Sequence, residues 1–295
     1  MIPKLEMLIA LAKEQHFGRA AESLGITQPT LSSGIRQLED YLGVKLVTRG
    51  ARFGGLTPEG QRALETARQI VGDMRRLRQE MRYTQHGLSG QVRLAVIPTA
   101  LAQAARLVNR FKQDHPGVKF QILSRTSSDI LSLIENLEVD AGLTYLDNEP
   151  LGRVAHQPLY RESYRFVCAP DHALAGRAEI RWPELAETRL CLLTPDMQNR
   201  RIINRNFMEA GLDSDTMLES NSTLVLVASV LEGDWATILP TDLAAFLAPG
   251  HDLVSIPISG GVQSHSVGLV AQYQEPQTPV LKALFDATRK MAKSA

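Results

Sequence analysis

A compact pair of helices, written into residues 20–38, constrains this 295-residue chain more than any other stretch. The run Ala20-Ala21-Glu22-Ser23-Leu24-Gly25-Ile26-Thr27-Gln28-Pro29-Thr30-Leu31-Ser32-Ser33-Gly34-Ile35-Arg36-Gln37-Leu38 predicts two short helices and a tight turn. Ala20 and Ala21 let a second helix cross closely, and Gly25 suits the positive φ of the turn. Thr27 is a natural N-cap, and Pro29 falls where a missing N–H costs little. Leu31, Ile35 and Leu38 share one face of the second helix and must be buried. Thr27, Gln28, Pro29, Thr30, Ser32, Ser33 and Arg36 then occupy its start and open face. Short hydrogen-bonding side chains in that position suit a DNA major groove. Gln can pair with adenine, Ser or Thr with either base type, and Arg with phosphate or guanine.

A net charge of zero does not contradict this reading, because the charge is unevenly spread. Residues 1–90 carry 13 Lys+Arg against 9 Asp+Glu, and the remainder carries 19 against 23. A basic head on an acidic body fits a nucleic-acid-binding module joined to another function. Lys4, Glu6, Lys13 and Glu14 break up the N-terminal apolar positions, so no secretory signal is expected. The apolar run from Leu224 to Leu231 is too short to span a bilayer. The two cysteines, Cys168 and Cys191, suit neither a disulfide scaffold nor a metal pair. A soluble cytoplasmic protein without cofactor or metal is expected.

Leu5, Leu8, Ile9 and Ala12 predict a first helix that completes a three-helix core. The loop Arg49-Gly50-Ala51-Arg52-Phe53-Gly54-Gly55 can form a basic wing that brings Arg49 and Arg52 to the DNA backbone or minor groove. Thr57-Pro58-Glu59 then opens a helix running to about Gln85. Within it Ala63, Ala67, Ile70, Met74, Leu77 and Met81 alternate at spacings of four and three. Such a heptad seam calls for a partner helix, most simply from a second copy of the chain. His86-Gly87-Leu88-Ser89-Gly90 reads as its end and a hinge.

From Gln91 strands alternate with helices, which predicts an α/β body with a mostly parallel sheet, long enough for two lobes. Ligands of such sheets sit beyond the strand ends, where helix N-termini point. Ile97-Pro98-Thr99-Ala100, Arg125-Thr126-Ser127-Ser128 and Thr194-Pro195-Asp196-Met197 fall there and favour a carboxylate or other small anion. Arg125, Arg200 or Arg201 could supply the counter-charge.

The order of these parts resembles the LysR-type transcriptional regulators. The resemblance is carried by Phe17-Gly18-Arg19-Ala20-Ala21-Glu22-Ser23-Leu24, Thr27-Gln28-Pro29-Thr30-Leu31-Ser32, Ile35, Leu38-Glu39, Leu42-Gly43-Val44-Lys45-Leu46 and Leu56-Thr57-Pro58-Glu59-Gly60. It covers about 45 residues of the head, and the rest of the chain follows the same plan. More loosely, the body is similar to regulators encoded beside formate dehydrogenase genes. The resemblance implies a winged helix-turn-helix over 1–57, a linker and dimerisation helix over 58–86, a hinge at 87–90 and an effector-binding domain over 91–295. That domain would resemble periplasmic binding proteins, with one lobe over about 91–160 and 268–295 and a second over about 161–267. A dimer of dimers, promoter DNA, a small-molecule effector and RNA polymerase are the implied partners. By position, Gln28, Pro29, Thr30 and Ser32 would enter the major groove, with Arg36 near phosphate. Thr99, Ala100, Thr126, Ser127, Tyr145, Thr194, Met197 and Thr223 would lie near the effector, with Pro98 and Arg200 beside them.

Two departures stand out. Ser33 and Gly34 occur where many members carry longer polar side chains, and the wing has an extra glycine at Gly54-Gly55. No nucleophile elbow, phosphate loop, metal spacing or dinucleotide fingerprint appears, so no catalysis is expected. A redox switch at Cys168 and Cys191 is the alternative signal, but both lie in apolar segments where thiols are usually inert.

Overall fold

A computed structural model describes the chain except residues 50–52, 148–149, 213–215, 249, 262–263 and 294–295. The head consists of α1 (Ile2–Glu14), α2 (Phe17–Ser23), α3 (Gln28–Leu42) and the hairpin strands β1 (Val47–Arg49) and β2 (Phe53–Leu56). Leu8, Leu11, Ala20, Leu31, Ile35, Leu38 and Leu46 are fully buried in its core. The expected turn is present: Gly25 has φ 65°, and the Thr27 hydroxyl caps α3 by accepting from Thr30 N. Gly34 has a reason the sequence did not reveal. A Cβ there would sit 2.2 Å from Met7 Sδ, so a larger residue would have to displace the Met7 side chain where α1 meets α3.

The linker helix α4 (Pro58–His86) follows; its 29 residues span about 43 Å. Leu64, Ala67 and Val71 are buried against the head. Thr57 caps α4 and also donates its hydroxyl to Lys45 O at 2.6 Å, tying the helix start to the wing.

The body begins with β3 (Gly90–Val96), a short 3-10 turn at Pro98–Ala100, α5 (Leu101–Asp114), β4 (Val118–Ser124), α6 (Ser127–Glu135), β5 (Ala141–Tyr145) and β6 (Val154–Glu162). The chain then crosses into a second lobe. It contains β7 (Tyr164–Cys168), β8 (Ile180–Arg181), β9 (Cys191–Leu193), α7 (Gln198–Glu209), β10 (Leu218–Ser220), α8 (Thr223–Glu232), β11 (Ala236–Pro240), α9 (Thr241–Leu247) and β12 (Val254–Ser259). It returns through β13 (His265–Gln272) and ends in α10 (Pro279–Ala292).

The sheets are mixed, not mostly parallel as the alternation suggested. The first lobe has the order β4-β3-β5-β13-β6, with β3 parallel to β4 and β5 but β13 antiparallel to both of its neighbours. The second has the order β11-β7-β12-β8, where only β12 and β8 run parallel. A separate parallel pair joins β9 and β10. Strand β6 escaped the sequence reading because Pro158 interrupts it. It is an edge strand, and its pairing with β13 shifts register between Val267 and Gly268, opposite Pro158. Edges and bulges are where strands tolerate proline. Because β6 runs to Glu162 and β13 starts at His265, the chain changes lobes at residue 163 and between 259 and 265, a few residues from the expected limits.

Candidate DNA-reading face and ligand cleft

The start of α3 stands clear of the head. Thr27, Gln28, Pro29, Thr30, Ser33 and Arg36 are exposed, and Ser32 is half-buried. The Thr27 and Thr30 hydroxyls pair at 2.8 Å, and Ser33 accepts from Gln37 Nε2 at 3.3 Å. Thr27 is therefore committed to the turn itself, whereas Gln28 projects from the first helical residue. The hairpin β1–β2 flanks this face and is held to α2 by an edge-on contact of Phe53 with Phe17 at 6.2 Å. Arg52 and the side chain of Arg49 lie outside the described residues.

Glu39 is a residue the sequence reading quoted without a role. It is buried, with 2 % exposure, and its carboxylate accepts from Leu46 N at 3.0 Å and Val47 N at 3.4 Å. Lys45 Nζ lies 3.4 Å away. Glu39 thus fixes where the wing begins relative to α3. A polar residue on an otherwise apolar helix face was the available signal.

The expected linker seam divides in two. Ala67 is fully buried in the head's own core and Ala63 is half-buried against it, so Ala67 is not free for a partner helix. Ile70, Leu77 and Met81 are 41 %, 49 % and 55 % exposed, and Met74 is half-buried between them. Only this distal half of the seam remains open. The reason is that α1 already covers the first turns of α4.

Between the two lobes lies a cleft of about 520 Å³. Pro98, Leu101, Ser124, Arg125, Thr126 and Asp129 line it from the first lobe, and Asp196, Met197, Asn221, Ser222 and Thr223 from the second. The starts of α5, α6, α7 and α8 all reach it, at Leu101, Thr126, Met197 and Thr223. Only α6 has a side-chain cap, Thr126 accepting from Asp129 N at 3.1 Å. Uncapped first-turn N–H groups and the positive helix ends make such a convergence receptive to an anion.

Of the expected cleft residues, Pro98, Thr126, Met197 and Thr223 line the cavity, and the others do not. Thr99, Ala100, Ser127 and Tyr145 are buried behind the first-lobe wall, and Thr194 is half-buried beside the second. Arg200 is the clearest correction. It is buried and donates to Leu193 O at 2.9 Å, Glu219 at 2.7 Å, Thr216 at 3.0 Å and Asn204 at 2.7 Å. Its charge is spent clamping α7 to β9 and β10. Arg201 is likewise engaged, with Gln198 and Asp196 O. Arg125 is the cation of the cleft lining, which also holds the acidic Asp129 and Asp196; its guanidinium donates to Ser124 O at 2.6 Å.

Behind the cleft, where β6 passes into β7, Glu162 is completely buried. Tyr164 donates to it at 3.4 Å. Burial lifts its carboxyl to about 7; the neighbouring Asp242 pushes the same way, while the Tyr145 and Tyr164 hydroxyls oppose the shift. Close by, Gln103 Nε2 of the first lobe donates to Asp242 of the second at 2.6 Å, and Thr241 N donates to Ser163 O at the crossover at 2.8 Å. Among the described residues no cluster of His, Cys, Asp and Glu could hold a metal.

The two thiols are poor sensors. Both are buried, and burial pushes each up to about 11. They also lie on strands of different sheets, β7 and β9, and in different apolar cores. Cys168 shares a core with Phe166 and Leu192, whereas Cys191 packs with Val167 and Leu193.

An exposed helix-turn-helix face with a wing, joined by a long helix to a two-lobed α/β body with a cleft between its lobes, defines a ligand-responsive DNA-binding protein. Comparison with known proteins agrees. Residues 2–61 match the family described as bacterial regulatory helix-turn-helix protein, lysR family, and residues 85–293 match the LysR substrate binding domain. The chain belongs to the LysR family of transcriptional regulators, which are not enzymes. It is 27 % identical to the DNA-binding transcriptional dual regulator OxyR of Escherichia coli K12 over 289 residues, covering 98 % of this chain and 94 % of that protein. Identity to the uncharacterized regulator YbhD of the same organism is 26 % over 285 residues, covering 96 % and 89 %. A full-length OxyR variant from Pseudomonas aeruginosa superposes with a TM-score of 0.73 at 26 % identity, covering 98 % of this chain and 94 % of that one. CbnR in complex with its target DNA shares the fold, with a TM-score of 0.61 at 19 % identity and 99 % coverage of both chains. No helix among the described residues is long and apolar enough to cross a membrane.

Proposed function

We propose that the chain reads its operator with the first turn of α3, and that a small carboxylate-bearing effector held in the interlobe cleft modulates the outcome. Gln28, Pro29, Thr30, Ser32 and Ser33 face the base edges, Thr27 sets the turn, and Arg36, Arg49 and Arg52 meet the backbone. The observation that carries the DNA assignment is the exposure of this polar turn on a helix whose other face is fully buried. The division of labour is a head over 1–57, a linker over 58–86, a hinge at 87–90 and a receptor over 91–295. Two copies pair through Ile70, Met74, Leu77 and Met81, and two such pairs form a tetramer. The cytoplasm is its site of action and RNA polymerase its further partner.

In the cleft, the starts of α5, α7 and α8 receive the effector's carboxylate, with Arg125, Thr126, Met197 and Thr223 around it. Asp129 and Asp196 leave room for an amine or hydroxyl on the same molecule. The CbnR–DNA complex supports the head assignment by fold.

The DNA reading is tested by fluorescence anisotropy on a duplex from the chain's own promoter region and on a scrambled duplex. Gln28→Ala is expected to cut the preference between them by about tenfold or more, one base contact being worth roughly 1–3 kcal/mol. Unchanged preference in both Gln28→Ala and Ser32→Ala would sink the groove assignment. The cleft is tested by thermal shift with a panel of small carboxylates and amino acids, which should raise the melting point of the wild type. Peroxide sensing through the thiols is disfavoured by their burial, so free-thiol titre should not change after mild peroxide.

A further inference from the structure

The helix that lines the cleft at one end grips the DNA-binding head at the other. The first turn of α6 supplies Thr126 and Asp129 to the cleft wall. Its nine residues span about 13 Å. At the far end the chain turns through Leu137, whose φ of 60° is left-handed, and leaves the helix toward β5. That Leu137 side chain does not belong to the first lobe's core. It is 8 % exposed and packs in the head cluster with Leu5, Leu8, Ile9 and Val71.

Polar contacts surround the plug. Lys13 Nζ of α1 meets Glu138 Oε2 at 2.9 Å. From α4, Arg68 donates to Asn136 Oδ1 at 2.8 Å and pairs with Glu135, and Arg75 donates to Leu137 O. These are cations of the head and linker set against the C-terminal end of α6, the negative end of its dipole. Two elements distant in sequence, α1 and α4, thus converge on one helix terminus. A crevice of about 340 Å³ runs along the same seam, lined in part by Ile9, Ala10, Val71 and Leu137. The seam is therefore a docked interface with open space beside it, not a continuous core.

We infer that α6 is the rod through which the ligand cleft and the DNA-reading head of the same chain sense one another, with Leu137 and the Lys13–Glu138 pair as the latch at its head end. A shift of the α6 start on cleft closure moves the plug in the head; a shift of the head on DNA moves the cleft wall. The reading face of α3 is exposed while the latch is docked, so the latch fixes the head's orientation and does not block DNA. The input half of this inference rests on the cleft assignment proposed above. The latch itself does not.

Coupling is reciprocal, so it can be measured without knowing the effector. The full-length protein is mixed with its own promoter duplex, and amide hydrogen exchange is followed at residues 127–130, at the cleft end of α6. In the wild type, DNA is expected to change these rates at least threefold. Glu138→Lys, which sets like charge against Lys13 and Arg75, should abolish the response while promoter binding persists. The charge-swapped Lys13→Glu/Glu138→Lys protein should recover it. Leu137→Ala, judged alongside by its own melting curve, should weaken the response with both ion-pair partners intact. If the wild type binds promoter yet shows no change at 127–130, the inference is overturned; equal change in the wild type, Glu138→Lys and the swap overturns it as well. Failure of the wild type to prefer its promoter would instead strike the DNA reading.

Discussion

The reading face of α3 and the interlobe cleft are built on the same device, the first turn of a helix, yet they depend on the chain in opposite ways. The face comes from one stretch: residues 27–36 fold against α1 and α2, in a core to which α4 adds Leu64, Ala67 and Val71 and the body adds Leu137. The cleft takes its walls from segments near residues 98, 125, 197 and 222, which meet only when two sheets and their crossovers are in place. A local site tolerates changes elsewhere, because its geometry is set by caps and a few neighbours. An assembled site inherits every shift of the scaffold. Substitutions in the body should therefore divide into those that move the scaffold and those that touch only the cleft, whereas the head should offer few of the first kind that leave DNA reading intact.

The largest expected effect separates two of the three arginines that could supply the effector's counter-charge. Arg200 makes four bonds inside the second lobe. Arg200→Ala strands the Leu193 carbonyl and Glu219 and should cost the body about 3 kcal/mol, read by chemical denaturation. Arg125 lies exposed on the cleft wall, and Arg125→Ala should leave stability within about 0.5 kcal/mol while reducing the thermal shift given by carboxylates. If Arg200→Ala left stability unchanged, the clamp would be wrong and Arg200 would return as a ligand residue.

Next in size is the buried carboxyl behind the cleft. Glu162 titrates near 7 in the folded chain, against an ordinary value of 4.5. The folded state therefore holds the proton more tightly than the unfolded one. Its contribution is full below about pH 4.5 and is lost as pH rises to about 7, by at most about 3 kcal/mol. Glu162→Gln should flatten the stability profile of the body across that window, as followed by denaturation at a series of pH values. An unchanged slope would mean that another group carries it. In the head, the buried Glu39 instead accepts from two backbone N–H groups and lies beside Lys45.

The same contrast explains how much was legible in the sequence. Residues 27–36 carry their cap, turn and buried stripe in consecutive positions, so chain order alone placed them. The cleft was legible only as a set of helix starts. Thr126 and Met197 fell in helix starts that follow strands and Thr223 came only through the family resemblance, but Arg200 looked equally suitable. Nothing local in Asn199-Arg200-Arg201 reveals that Glu219 and Thr216 are waiting across α7. The parallel-sheet expectation failed for a similar reason. Alternating strands and helices do suggest crossovers, but β6 and β13 pair between residues 154 and 272, a partnership that no local pattern encodes. In the linker, the heptad spacing is real, yet α1 occupies the face bearing Ala67 and leaves only the distal half for a second copy.

The smallest expected effect tests whether a cleft residue can be separated from the scaffold at all. Thr126 both lines the cavity and caps α6, accepting from Asp129 N at 3.1 Å. Thr126→Val keeps the shape and removes the acceptor, and loss of such a cap costs about 1 kcal/mol. Thr126→Ser keeps the cap and should restore that stability. If Thr126 matters to the cleft only through its cap, the serine variant should also recover the carboxylate-induced thermal shift in full. If the methyl group contacts the effector, stability returns with serine while the shift stays reduced. Promoter affinity measured without added carboxylate should stay within about twofold with serine and fall further with valine, since α6 leads to Leu137 in the head's core. A larger loss of DNA binding with valine alone would show that fraying the start of α6 is felt in the head, and the separation between the local and the assembled site would fail at this helix.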